Sequence, residues 1–195
     1  LMGARPALAE RVGRHHLAAG EAAAAFVPLL WAARQRKSRC QFREAASLLQ
    51  DAEQGLRTLH LPESDPRHGQ LAVQQMTLGR LLSRLDEAHQ QGEAVVEAAR
   101  RFDWPWLPDA LRALEMIVRH RGELTRAEAL FEEALERYTV VGDDARRALA
   151  LKSLADVVMQ RGDLVRAEAL FERGRRISEH IGDPVNATHC LQGLG

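Results

Sequence analysis

Apolar side chains in the second half of the chain recur at helical spacing. Leu111, Leu114, Ile117 and Val118 stand at i, i+3, i+6 and i+7, which puts them on one face of an α-helix. Arg121-Gly122 ends the run, because glycine accepts the left-handed conformation that closes a helix. A second run passes through Leu124, Ala127, Leu130, Phe131, Ala134 and Tyr138, and Val141-Gly142-Asp143 stops it. Asp143 or Asp144 is placed to cap the helix that follows. The predicted unit is a helical hairpin with one apolar side.

The same unit then recurs. RGELTRAEALFE at 121–132 returns as RGDLVRAEALFE at 161–172, changed only at Glu123/Asp163 and Thr125/Val165. Val141-Gly142-Asp143 returns as Ile181-Gly182-Asp183, and Leu111/Leu114 as Leu151/Leu154 and Leu191/Leu194, a period of 40 residues. A lone hairpin cannot bury its apolar side, whereas one stacked on a copy can, so the repeated sequence is the stacking surface. Weaker copies lie upstream. Residues 43–49 resemble the second-helix block, Leu78-Gly79 and Asp86-Glu87-Ala88 bracket a tighter turn, and 7–18 and 21–37 are predicted helices around Gly20. Residues 60–69 and 103–109, each with two prolines, are the loop-like segments.

Composition agrees with helices. Apolar residues are 46% and aromatics 5%, with Ala and Leu dominant and β-branched residues scarce. The 27 basic residues match 27 acidic ones, so net charge argues neither for nucleic acid nor for an anionic membrane. Of the basic residues only Lys37 and Lys152 are lysine. Cys40 and Cys190 are too few for a disulfide framework and are expected to be reduced core thiols. The uncharged run at 22–33 is too short for a bilayer, which needs about 20 residues. It holds Pro28 and lies too late in the chain for an export signal. The sequon Asn186-Ala187-Thr188 is expected to be incidental in a cytoplasmic chain.

The hairpin resembles the tetratricopeptide repeat. Ala155, Gly162, Ala167 and Phe171 match that family's small residue, turn glycine and second-helix Ala-x3-Phe, with Gly174 replacing its last Ala. Gly122, Ala127, Phe131 and Ala134 match in the preceding copy, where Glu115 occupies the small-residue position. Thr139 and Glu179 stand in place of the usual proline, and the period exceeds the usual one of about 34 residues. The resemblance implies an all-α, right-handed α-solenoid of about five antiparallel helix pairs. It would occupy 1–195 as a single domain: clear repeats at 108–143 and 144–183, degenerate ones at 7–37, 26–59 and 68–102, and an incomplete one at 184–195. Residues 14–35, followed by 40-residue repeats, are similar to the helical arms of large bacterial signalling proteins. Those are LuxR-type or maltose-regulator-like signalling ATPases, and Ser/Thr kinases with ATPase modules. That implies a piece of a longer chain, with an output domain elsewhere.

No phosphate loop, nucleophile elbow or zinc helix is present, so this stretch is not expected to be an enzyme or to hold a metal or cofactor. His15 and His16, adjacent on a helix, diverge by about 100°. His120 and His180 sit at helix C-termini, where a partly charged imidazole suits the helix dipole. Trp104-Pro105-Trp106 is a candidate hot spot, or a staple between hairpins, and Pro108 suits a first helical turn.

Charge is partitioned between the two kinds of helix. First-helix segments 26–39, 68–84, 108–121 and 144–161 are net positive. Second-helix segments 42–59, 86–101 and 123–138 are net negative, and 163–180 is neutral. Carrying over the family's first-helix groove positions selects Arg34, Lys37, Arg80, Arg84, Arg112, Met116, Arg119, His120, Lys152, Asp156 and Met159. Arg34, Arg80, Met116 and Asp156 stand where the family's carboxylate clamp has asparagine. The resemblance therefore implies a basic concave groove for an acidic peptide or protein, within a sensor or scaffold arm of a bacterial regulator. The competing readings are a small-molecule (inducer) sensor, a nucleic-acid-binding α-solenoid and a plain spacer. Exposed stacking faces around Leu191 and Leu194 are expected to pair with another copy.

Overall fold

The computed structural model describes residues 6–194. Among them are ten α-helices and no strand. The chain forms two compact units that divide between Trp104 and Pro105, where the sequence reading has one array over 1–195. The first unit contains α1 (Pro6–Ala18), α2 (Ala22–Ser38), α3 (Phe42–Thr58), α4 (Pro66–Leu81) and α5 (Leu85–Arg101). The second contains α6 (Leu107–His120), α7 (Leu124–Val141), α8 (Asp144–Gln160), α9 (Leu164–His180) and α10 (Pro184–Leu194).

In the first unit α2 packs between α1 and α3, and α4 packs on α3 and α5. Its core gathers Phe26, Leu29, Leu48, Leu49 and Leu56 with small Ala25, Ala32, Ala45 and Ala52. Gly13 lets α1 approach closely: a Cβ there would lie 2.7 Å from Leu29 Cγ and Cδ2. In the second unit each helix packs on the next in order. Leu111 and Leu114, and their counterparts Leu151 and Leu154, have at most 2% exposure.

The turns explain where the repeat is clear and where it blurs. Gly122, Gly142, Gly162 and Gly182 all take the left-handed conformation, with φ from 72° to 89°. In the first unit Cys40 (φ 58°) and Ser83 (φ 59°) do the same without being glycine. The turn bracketed by Leu78-Gly79 and Asp86-Glu87-Ala88 in the sequence lies between those blocks, as expected. Gly79 lies inside α4, where a Cβ would come 3.2 Å from Ala88 Cβ, and the chain turns at Ser83. Cys40, read as a core thiol, is exposed on its turn; Cys190 is buried, and burial pushes its thiol pKa up.

Caps follow side-chain length. The carboxylates of Asp143, Asp163 and Asp183 accept from the backbone N–H groups of Arg146, Arg166 and Asn186 at 3.0–3.1 Å. Glu123 holds the same place at the start of α7 but makes no such cap; its carboxylate takes Arg121 Nε at 2.7 Å. Gly174 has a steric reason to replace the family's alanine, since a Cβ there would meet Cys190 Sγ at 3.2 Å and Ala148 O at 3.4 Å. The sequon residue Asn186 is 6% exposed and donates its amide to Ser178 Oγ at 2.7 Å.

One ion-pair cluster ties the two clear repeats together. Glu128 of α7 accepts from Arg161, after α8, and from Arg166 of α9. Arg166 also reaches Glu132 at 2.5 Å. Burial pushes the Glu128 carboxyl up, but the hydrogen bonds from Arg166 and Arg161 outweigh it and hold the pKa below the usual carboxylate value.

Candidate functional site

The residues selected for a groove divide between the units. In the first, Arg34 of α2 is exposed, and Lys37 gives its Nζ to Gln74 Oε1 of α4 at 2.7 Å. The turn at Ser83 changes the register of α4. Counting back from it, as from Gly122, puts Thr77 rather than Arg80 at the clamp position. It also moves Arg84 past the turn, to the N-cap of α5. Arg84 is thus not a first-helix residue. The sequence contained no glycine to mark that turn, which is why the register slipped.

In the second unit the basic row is largely neutralised from within. Arg119 Nε lies 3.2 Å from Glu115 Oε1, and that carboxylate is fully buried. Lys152 Nζ pairs with Asp156 Oδ2 at 2.8 Å, one turn along α8. His120 donates from Nδ1 to Met116 O at 2.7 Å, so it closes the last turn of α6. Arg112 differs: its guanidinium rests 3.7 Å from Met116 Sδ, with no ion pair to a carboxylate among the described residues. Met159 is 39% exposed and Leu149, on the same helix, 46%. Sequence reasoning passed over Leu149 because it sought polar and Met side chains; only the packing of α8 shows that this leucine is left out of the core. The surface offered by α6 and α8 is therefore mixed, with apolar side chains beside Arg112 and paired cations.

Tyr138 lies beneath this surface. It is 3% exposed, and its hydroxyl has no hydrogen-bond partner among the described residues. Burial chiefly, and then the nearby Asp109 carboxylate, push its pKa up to about 12, against the pull of Arg112 and Arg146. It is the only tyrosine in the chain, so phenolate absorbance reports it alone. The expected titration midpoint is about 12 rather than about 10. Since the folded pKa is the raised one, this group's stabilisation is intact below pH of about 10 and is lost as pH climbs toward 12. A midpoint at the free-tyrosine value in still-folded protein would contradict the burial.

The two indoles of Trp104-Pro105-Trp106 fall in different units. Trp104 is 6% exposed and donates Nε1 to Ser64 O at 2.8 Å, which pins the α3–α4 connection. It is a staple of the first unit and presents no exposed hot spot. Trp106 is half-buried at the N-cap of α6. His16 Nδ1 meets Glu21 Oε2 at 2.6 Å, while His15 stays exposed. Among the described residues no cluster of His, Cys, Asp or Glu has the arrangement of a metal site, and no helix is long and apolar enough to cross a membrane.

The family model for the tetratricopeptide repeat matches residues 106–180, which comprise α6 to α9. This part of the chain is similar to a pair of tetratricopeptide repeats. The repeat fold extends further in structural likeness. BtubC from P. vanneervenii is 20% identical, with 97% of this chain and 87% of that one covered at a TM-score of 0.74. A Signal Transduction ATPase with Numerous Domains (STAND) protein with a tetratricopeptide repeat sensor, from Pyrococcus horikoshii, is 14% identical at a TM-score of 0.70. That match covers 99% of this chain but 32% of the other. A Rap protein complexed with Competence and Sporulation Factor is 14% identical at a TM-score of 0.77, with 95% of this chain and 57% of that one covered. No curated protein matches the sequence. Against this family the tetratricopeptide repeats here depart most at Glu115, a buried carboxylate where a small residue belongs.

Proposed function

We propose that the chain is a protein-interaction scaffold, the binding arm of a bacterial signalling or transcription regulator, and that its first helices receive an acidic partner segment. The observation that carries the reading is the mixed face of α6 and α8: Arg112 without a carboxylate partner, and Met159 and Leu149 exposed on a helix whose Ala148, Ala150, Val157 and Val158 are buried. Apolar side chains beside a free guanidinium suit a peptide that offers a carboxylate next to apolar residues. Likeness to a STAND protein with a tetratricopeptide repeat sensor, and to a Rap protein held with a signalling factor, supports a sensor role.

The test is affinity capture from the source cells with the native chain beside an Arg112→Glu/Lys152→Glu variant. Arg119 is left intact because it neutralises buried Glu115. A partner on this face is expected to bind the variant at least about tenfold more weakly, and to bind the native chain more weakly as salt rises, since exposed charges are screened over about 8 Å at physiological ionic strength. Equal capture by both chains at all salt concentrations would remove the face from the site.

A further inference from the structure

The connection between α3 and α4, residues 59–65, is much longer than the two-residue link between α7 and α8. It forms one wall of a cavity of about 680 Å3 in the first unit. Helices α4 and α5 supply a floor of small residues, Gly69, Ala72, Ala94 and Ala98. In the second unit the groove between α7 and α9 is smaller, about 450 Å3, and is crossed by the Arg166–Glu132 pair.

The cavity wall is held in place before any ligand arrives. Trp104 donates its indole N–H to Ser64 O, and its ring lies 5.6 Å from that of Phe102. Asp65 accepts from the Arg67 backbone and grips the Arg67 guanidinium at 2.7–2.9 Å; that hydrogen bond holds the Asp65 carboxyl down at about 2. A volume in the range of about 300–1,000 Å3 with an apolar lining and few polar groups is that of a small-molecule site.

The rim gives the ligand its charge. Glu63 and Glu97 line the cavity and make no ion pair among the described residues. Arg101 stands one turn after Glu97, the spacing at which the two would pair. Its guanidinium lies instead over the Phe102 ring, 5.0 Å from the centroid. His68 lines the cavity from α4. We propose that this cavity binds a small cation with an apolar body, an alkyl- or aryl-ammonium. Its apolar part lies on the alanine floor against Phe102 and Trp104, and its charge is met by Glu63 and Glu97. The site's residues belong to the first unit and those altered in the partner-binding test to the second, so either reading stands or falls without the other.

The test uses the full chain with 2-phenylethylammonium as probe and 2-phenylethanol as its neutral counterpart, read by tryptophan fluorescence and calorimetry. Saturable binding of the ammonium is expected, with a Kd on the order of 1 mM for so small a ligand, and the alcohol about tenfold weaker. Glu63→Gln with Glu97→Gln is expected to abolish that preference while leaving the alcohol's binding unchanged. Ala98→Leu, or Ala94→Leu on the same face, fills the floor and is expected to remove both. Circular dichroism confirms that each variant is folded. Absence of saturable binding, equal affinity for ammonium and alcohol, or unchanged binding in the double glutamine variant overturns the proposal.

Discussion

Arg119→Ala is expected to destabilise the second unit by about 3 kcal/mol or more, far beyond the effect of removing an ordinary half-exposed arginine. The reason is Glu115. Its side chain is completely buried, and Arg119 Nε stands 3.2 Å from its carboxylate. A carboxylate moved out of water is tolerated only with compensating charge and hydrogen bonds. Truncating Arg119 removes a cation from beside a desolvated carboxylate. The second substitution distinguishes this account from loss of packing by the arginine stem. Glu115→Ala restores the small residue that Ala155 provides 40 positions later, so Arg119→Ala made on that background is expected to cost less than about 1 kcal/mol. Urea unfolding of the four proteins closes the cycle. Equal costs for Arg119→Ala on both backgrounds would show that the pair is not coupled.

Phe171→Ala is expected to cost about 3–5 kcal/mol, comparable to much of the stability of a small domain. Phe171 is 1% exposed, and its ring is pressed against Gly193 of α10: a Cβ at that glycine would come within 2.4–2.6 Å of ring atoms. Truncation removes the ring from α9 and leaves α10 facing a void that backbone atoms of neighbouring helices cannot fill. Thermal unfolding followed at the helical band should show a lower midpoint. Amide exchange should show α10, which packs on α9 and α8, losing protection ahead of α6 and α7. A midpoint within a degree or two of the native value would mean that the site collapses without loss.

Most of the helical frame was legible in the residues themselves. The period of 40, the four turn glycines and the aspartates that cap α8, α9 and α10 are local signals, because a left-handed turn and a capped N–H are satisfied by residues within a few positions. The turn between Gly79 and Asp86 was legible, but its exact place at Ser83 was not. A serine in the left-handed conformation carries no signal of its own and is held there by the helices on either side, so Arg80 was given the clamp position and Arg84 a place in a first helix.

The candidate surface was legible only as a set of charges. Sequence alone determined that the first helices carry the basic residues and that the chain repeats a helical hairpin. Tertiary structure decided which of those charges are spent internally: Arg119 on Glu115, Lys152 on Asp156, Lys37 on Gln74. It also decided that Arg112, Leu149 and Met159 are left facing outward, and that small residues and a long connection leave a cavity beside Glu63 and Glu97. Helix formation and capping depend on neighbours along the chain, which a sequence displays directly. Burial and ion pairing depend on which residues fold into contact, and only the packed structure brings those together.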